Sequence, residues 1–279
     1  MTSRNSSTDY AQLRRDIEQC AARLTTSSAA PAEEPFDARL LAELGDRLSG
    51  ALHKTRENAR RLVDAHRATF PDSPLFCTCP LLRPLGQSRR ELSVTQVLGW
   101  LLDPNAEHRF GGLLLRAFLS TLIDSEAARE ICSADDLSIS VYTEFELNGT
   151  NRADILIASQ TNAVVIEAKI DASEGHAQTE RYRRDFGKSF PLCTYVFLTP
   201  HGNQAMSAGF TSLRYLELAR VLMLVLPAGR GAEGFHYARY FLAGLLEDLC
   251  EIYTSGSTEE ILQSNSFALE ALLETKSHG

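Results

Sequence analysis

The chain has 279 residues and a formal net charge of −8, long enough for one large domain or for a core domain with helical additions. Hydrophobic residues make up 44% and charged residues 23%, the balance of a folded globular protein. The acidic balance excludes a surface coated for non-specific nucleic-acid binding, but leaves room for a local basic groove. The six cysteines are scattered apart from the Cys77-Thr78-Cys79 pair. That pattern is unlike a secreted disulfide framework, and no second close Cys/His pair completes a zinc site. The N-terminus is polar and the apolar runs fall short of the roughly 20 residues of a membrane span, so a cytoplasmic protein is expected.

In chain order, residues 10–24 read as a short helix and 25–35 (TTSSAAPAEEP) as a linker. Residues 37–68 read as a long amphipathic helix, with Leu40, Leu41, Leu44, Leu48, Leu52 and Leu62 at helical spacing. Its other face carries Arg39, Arg47, Lys54, Arg56, Arg60, Arg61 and Arg67 among acids, open to reading as a solvated face or a nucleic-acid contact. Four prolines make 69–87 an irregular connector. Helices follow at 91–102, stopped by Asp103-Pro104-Asn105, and at about 112–123. Strands are expected at 137–147, 152–159 and 163–170, a helix at 175–187, a strand at 193–199, a short strand near 213–217, and helices near 233–253 and 258–275. The chain divides on this reading into an N-terminal helical region with linker, 1–87, and a domain of 88–279.

The chemistry lies in the segments RADILIAS and AVVIEAKI. A hairpin turn centred between Gln160 and Thr161 sets Asp154 directly opposite Glu167. Opposed side chains have Cβ atoms about 4.5–5.5 Å apart, and two like charges there are destabilising unless something positive lies between them. A divalent cation held by carboxylate oxygens is the natural occupant. Glu167 and Lys169, two apart, share a face, so one face presents two acids and an ammonium in an apolar setting where unpaired charge is costly. A plain structural salt bridge between Lys169 and Glu167 is the competing account, and a one-residue slip of register would undo the alignment.

Arg152-Ala153-Asp154-Ile155-Leu156-Ile157 followed by Ile166-Glu167-Ala168-Lys169-Ile170 resembles the PD-(D/E)XK nuclease signature. Gln178 and Tyr182, at i and i+4, resemble the Q-x-x-x-Y element of the RecB-like branch. The upstream LGWLLDPNAEHRFGGLLLRAFL is similar to a segment of an uncharacterised bacterial PD-(D/E)XK group. Two departures stand out: Ala153 replaces the proline of the family name, and Arg109 follows His108 where the related group usually has glycine. The resemblance implies an α/β fold, a restriction-endonuclease-like αβββαβ core with a mixed central sheet, carrying N- and C-terminal helical additions.

The resemblance also implies Mg²⁺-dependent hydrolysis of phosphodiesters in nucleic acid, with Mn²⁺ as a substitute, DNA as the expected substrate, and phage defence or DNA repair as settings. Asp154, Glu167 and the carbonyl of Ala168 would hold the metal, and Lys169 would orient the attacking water or stabilise charge on phosphorus. Glu91 is the candidate for a further acid on the first core helix; equally, Ser88-Arg89-Arg90-Glu91 fits a capping box. Gln178 and Tyr182 are candidates for contacting substrate phosphate or buttressing Lys169, with ordinary packing as the alternative. Arg181, Arg183, Arg184 and Lys188 are backbone-contact candidates on the same helix, while His176 and His201 read as loop residues. The N-terminal region is a candidate dimerisation or partner-binding element. The rival functional class is a catalytically inactive binding module that kept the fold.

Overall fold

The two segments that carry the acids are apolar on both faces, and such strands belong in the middle of a sheet rather than at its rim. In the computed structural model they are β2 (Asn151–Ser159) and β3 (Asn162–Ala168). They stand second and third in a five-stranded mixed sheet ordered β1 (Ile139–Leu147), β2, β3, β4 (Leu192–Thr199), β5 (Phe210–Arg214). The first three strands are antiparallel neighbours and the last two pairings are parallel. The structure describes residues 38–147, 151–172, 174–175, 178–254, 257–264, 269 and 272–273. The expected helix and linker within 1–37, His176, and most of the tail beyond 264 lie outside the described residues.

The helices, in chain order, are α1 (Ala38–Thr69), α2 (Glu91–Leu102), α3 (Leu113–Leu122), α4 (Glu126–Ser133), α5 (Gln178–Ser189), α6 (Tyr215–Val225), α7 (Phe235–Asp248) and α8 (Thr258–Ser264). Two of them, α4 and α6, are absent from the sequence reading. α4 starts at Ser125, whose side chain accepts from the Ala128 amide, a single cap ahead of a helix of only 8 residues. The stretch expected as a strand near 213–217 splits: β5 ends at Arg214 and α6 begins at once with Tyr215. The Glu217 carboxylate accepts the Arg214 amide at 2.9 Å there, which ends the strand and starts the helix.

The chain resolves into two compact units, Met1–Ala51 and Leu52–Gly279. Within the second, Ala59 and Val63 of α1 are buried with Leu75, Phe76, Ala219, Met223 and Leu246. Leu52, expected on the apolar stripe, is 53% exposed; the buried face of α1 in this unit begins further along. No helix among the described residues is long and apolar enough to cross a membrane.

The sheet has two differently covered faces. Ile155, Ile157, Val164, Ile166, Val196 and Leu198 pack under helices on one face, against Val94, Leu98, Phe118, Leu222 and Leu242. Leu156, Val165 and Tyr195 point to the other face, where Tyr182 and Phe186 of α5 cover them. Burying each such side chain stabilises the fold by about 1.5–3 kcal/mol. Alternation puts Glu167 with Val165 on the α5 side.

The segment Asp103–Gly112 is structural. Asn105 Nδ2 donates to the carbonyls of Asp136 and Ile139, both at 2.9 Å, at the entry to β1. The Asp136 carboxylate accepts the Gly112 amide at 3.0 Å and pairs with Arg116 at 2.5 Å. His108 is buried, its Nδ1 accepts the Phe110 amide, and its ring lies edge-on to Trp100. It is a core residue distant in role from the acids. Arg109, where the related group carries glycine, adopts φ 62°. The position calls for the left-handed region that glycine enters without steric cost.

Candidate active site

The hairpin forms in the expected register: Ile155 pairs with Ile166, Leu156 with Val165 and Ser159 with Asn162. The ladder stops one pair short of Asp154. Lys169 donates its amide to Leu198 of β4 at 2.9 Å, so the preceding amide, that of Ala168, faces β2. There it meets a side chain in place of backbone: Asp154 Oδ2 accepts it at 2.7 Å. Asp154 is thereby fixed against β3, beside Glu167.

Glu167 is fully buried. Its Oε1 receives Lys169 Nζ at 2.5 Å and Gln178 Nε2 at 2.6 Å. Its Oε2 is buried without a hydrogen-bond partner. Lys169 also lies 3.6 Å from Glu91 Oε2, and Glu91 Oε1 accepts the Ile170 amide at 2.9 Å. The capping-box reading of Glu91 is thus corrected. Arg90 is the N-cap of α2 and makes no side-chain cap bond; Glu91 turns to the sheet because a free amide at the end of β3 outcompetes one it would have to bend back to reach.

Gln178 and Tyr182 close the arrangement from α5. Gln178 Nε2 also donates to the Tyr182 hydroxyl at 3.1 Å, and that hydroxyl donates to the Arg152 carbonyl. Tyr182 is 2% exposed, and its hydroxyl is engaged within the fold by Gln178 and the Arg152 carbonyl. The buttressed residue is Glu167 rather than Lys169: Gln178 Nε2 donates to Glu167, and Gln178 Oε1, the atom an ammonium could donate to, accepts the Gly175 amide at 3.2 Å. Of the α5 cations, Arg181 lines the cleft, whereas Arg183, Arg184 and Lys188 do not; Arg184 pairs with Asp185. His201 is exposed.

The electrostatics follow from packing two acids where water is scarce. Burial first, then the Glu167 carboxylate, push the Asp154 carboxyl up to about 7, against the pull of the Ala168 amide and Lys169. Burial likewise raises Glu167 despite Lys169. Burial works to lower Lys169, but Glu167, with Asp154 and Glu91 behind it, outweighs burial and holds the ammonium above its usual range. Burial also raises the Tyr182 phenol, reinforced by Glu167.

A cleft of about 710 Å³ opens over these groups, lined by Arg89, Arg90, Glu91, Glu144, Arg152, Asp154, Lys169, Asp171, Gln178, Arg181 and Tyr182 among others. Glu144 and Arg152 are among the lining residues that the sequence reading did not offer as site residues. Thr143 pairs with Ile155 and Phe145 with Ala153, so Glu144 stands across from Asp154. Its φ is 54°, and the left-handed turn breaks the alternation of β1. Thr143 faces α2, lying in the space a Cβ on Gly99 would fill, while Tyr142 and Phe145 share a face with rings 5.3 Å apart. Phe145 thus reaches Phe186 of α5, and the Glu144 carboxylate is left at the cleft, 3.0 Å from Arg152 Nε.

The orphaned, buried Glu167 Oε2 beside a second carboxylate suits a cation. Among the described residues no group of three or more His, Cys, Asp and Glu side chains is arranged to hold a metal. Two carboxylates nevertheless satisfy an ion of the Mg²⁺ kind, which keeps several waters.

A mixed five-stranded sheet with flanking helices over both faces, whose central hairpin opposes two acids with a lysine two residues on, defines an α/β architecture of the restriction-endonuclease-like kind. Residues 82–218 match the family model of the PD-(D/E)XK nuclease superfamily. That segment contains every cleft residue named above, and the match assigns residues 82–218 to the PD-(D/E)XK nuclease superfamily. Its members are typically nucleases and commonly use divalent metals. No curated protein and no solved structure matches the chain.

Proposed function

We propose that the protein is a divalent-metal-dependent nuclease that hydrolyses phosphodiester bonds of nucleic acid, with Mg²⁺ as the ion, Mn²⁺ as its substitute, and DNA as the substrate. One observation carries the reading: Asp154 and Lys169 line one cleft, and Glu167, buried behind Lys169, keeps an oxygen without a hydrogen-bond partner among the described residues.

Asp154 and Glu167 would hold the ion. The Ala168 carbonyl is the proposed third ligand, since in an extended strand a residue's N–H and C=O point to the same side and its N–H faces Asp154. When bound, the ion supplies Lewis acidity toward the phosphodiester. Lys169 stays protonated between Glu167 and Glu91 and directs its ammonium at the attacking water or at charge developing on phosphorus. Glu91 positions Lys169 while fixed by the Ile170 amide. Gln178 orients Glu167, and Tyr182 holds the β2 backbone at Arg152 in register with it.

The test is conversion of supercoiled plasmid by purified protein with Mg²⁺ or Mn²⁺. Wild type nicks or degrades it, and Asp154→Ala and Lys169→Ala do not. Activity that survives both substitutions would sink the assignment. The acidic net charge favours a second reading, an inactive binding module on the same fold, which calorimetry showing no Mg²⁺ or Mn²⁺ uptake by wild type would support.

A further inference from the structure

An acidic protein that acts on a polyanion needs cations where the substrate passes. Around this cleft the acids Glu91, Glu144, Asp154 and Asp171 alternate with Arg89, Arg90, Arg152 and Arg181. Arg89 is committed to the fold: it makes two bonds to Asp171, at 3.1 and 2.5 Å, and a third to the Asp248 carbonyl. Arg152 is built differently. Its backbone is anchored by the buried Tyr182 hydroxyl, which connects through Gln178 to Glu167. Its side chain is 64% exposed and, among the described residues, pairs with Glu144 through Nε. A root held against the reacting centre and a tip in a single exposed ion pair suit a guanidinium that exchanges one anion for another, because exposed pairs contribute little and are readily replaced.

The acid that holds it is kept in place at a cost. Glu144 occupies the left-handed region within a strand, and such strain on a non-glycine residue persists only where the surroundings impose it. The turn that sends Phe145 onto the α5 face also delivers the Glu144 carboxylate to Arg152 at the cleft that Asp154 lines.

The geometry points to Arg152 as a substrate-binding residue. It grips a backbone phosphate next to the one being cleaved, and Glu144 parks its guanidinium in the resting protein. The inference rests on the nuclease reading and deepens it. Phosphate displaces Glu144 because the planar fork can then donate two charge-assisted hydrogen bonds in parallel instead of one. No covalent step is involved.

The experiment measures binding of a short fluorescent DNA duplex by anisotropy in EDTA across a salt series, alongside plasmid cleavage with Mg²⁺. Arg152→Ala weakens binding by about fivefold to tenfold and flattens the slope of log K against log salt by about 0.9, the value for one phosphate contact. Arg152→Lys retains the charge and keeps the wild-type slope, which separates a lost contact from a damaged fold. Glu144→Gln frees the guanidinium and tightens binding several-fold, a gain that the double variant Glu144→Gln/Arg152→Ala loses. Wild-type slope and affinity in Arg152→Ala overturn the proposal, as does unchanged affinity in Glu144→Gln. If those results accompany plasmid cleavage by wild type, only the role of Arg152 falls. A wild type that neither binds nor cleaves DNA overturns the nuclease reading together with this one.

Discussion

Asp154→Asn should make the metal-free protein more stable while abolishing its metal response. The substitution keeps the acceptor for the Ala168 amide, since an asparagine Oδ1 can take the hydrogen bond that Asp154 Oδ2 accepts at 2.7 Å. It removes a negative charge buried beside Glu167. The Asp154 carboxyl is pushed from 3.8 up to about 7, by burial first and Glu167 second. At about 1.4 kcal/mol per unit, ionising it at pH 8 costs the folded state up to roughly 4 kcal/mol, and structural relaxation brings the expectation to about 2–4 kcal/mol. For a chain of this size that is a rise in Tm of about 4–15 °C.

The sign of the pH dependence is fixed by the direction of the shift. Between 3.8 and about 7 the folded state holds more protons than the unfolded chain, so the stability from this group is complete below the lower value and is lost as pH rises through the upper one. The advantage of Asp154→Asn should therefore be largest near pH 8 and vanish near pH 4. Thermal melts in EDTA across that range measure it, and repetition with Mg²⁺ or Mn²⁺ should raise the Tm of wild type alone. An Asp154→Asn protein less stable than wild type at pH 8 in EDTA, or a gap independent of pH, would refute the argument that the two buried acids repel.

Three further outcomes are expected. Tyr182→Phe strands the Arg152 carbonyl and removes the acceptor of Gln178; it should cost about 1–3 kcal/mol of stability and lower kcat with little change in KM, and full kcat would remove the positioning role. Arg109→Gly relieves a residue at φ 62°, gaining about 1–2 kcal/mol of backbone strain against about 0.4–1 kcal/mol of unfolded-state entropy, so denaturant melts should show a small net stabilisation. Gly234→Ala would set a Cβ 2.3 Å from His108 Cβ and 2.9 Å from its Cα, whereas one at Gly231 meets nothing within 4 Å; the first should lose about 1–3 kcal/mol and the second stay near wild type in the same melts.

Much of the site was legible because its geometry is local. The turn at Gln160 and Thr161 fixes every pairing of β2 with β3, and a two-residue period then settles which of Glu167, Ala168 and Lys169 share a face. Helical spacing in the same way placed Gln178 under Tyr182. The long helix α1 and the helices α2 and α3 were legible from periodicity and from Asp103-Pro104 as a stop. The short α4 offered too few turns for a period to register, and α6 is hydrophobic enough that its first residues read as strand.

Other features were settled by residues far apart in the chain. Glu91 had two partners available on paper, Ser88 nearby and the end of β3 at Ile170, and the sheet supplied the second. Tyr182 had a motif spacing suited to substrate contact or to buttressing, and packing of α5 onto the sheet brought its hydroxyl to the Arg152 carbonyl. Glu144 was invisible because its place opposite Asp154 depends on the pairing of β1 with β2, and its left-handed backbone on the demand that Phe145 reach Phe186. The sequence by itself therefore determined the acid–acid–lysine face, since a tight turn and strand alternation leave no freedom there. Only the tertiary structure decided which groups hold that face, because those choices are made by burial and by competition among partners that the chain brings together from a distance.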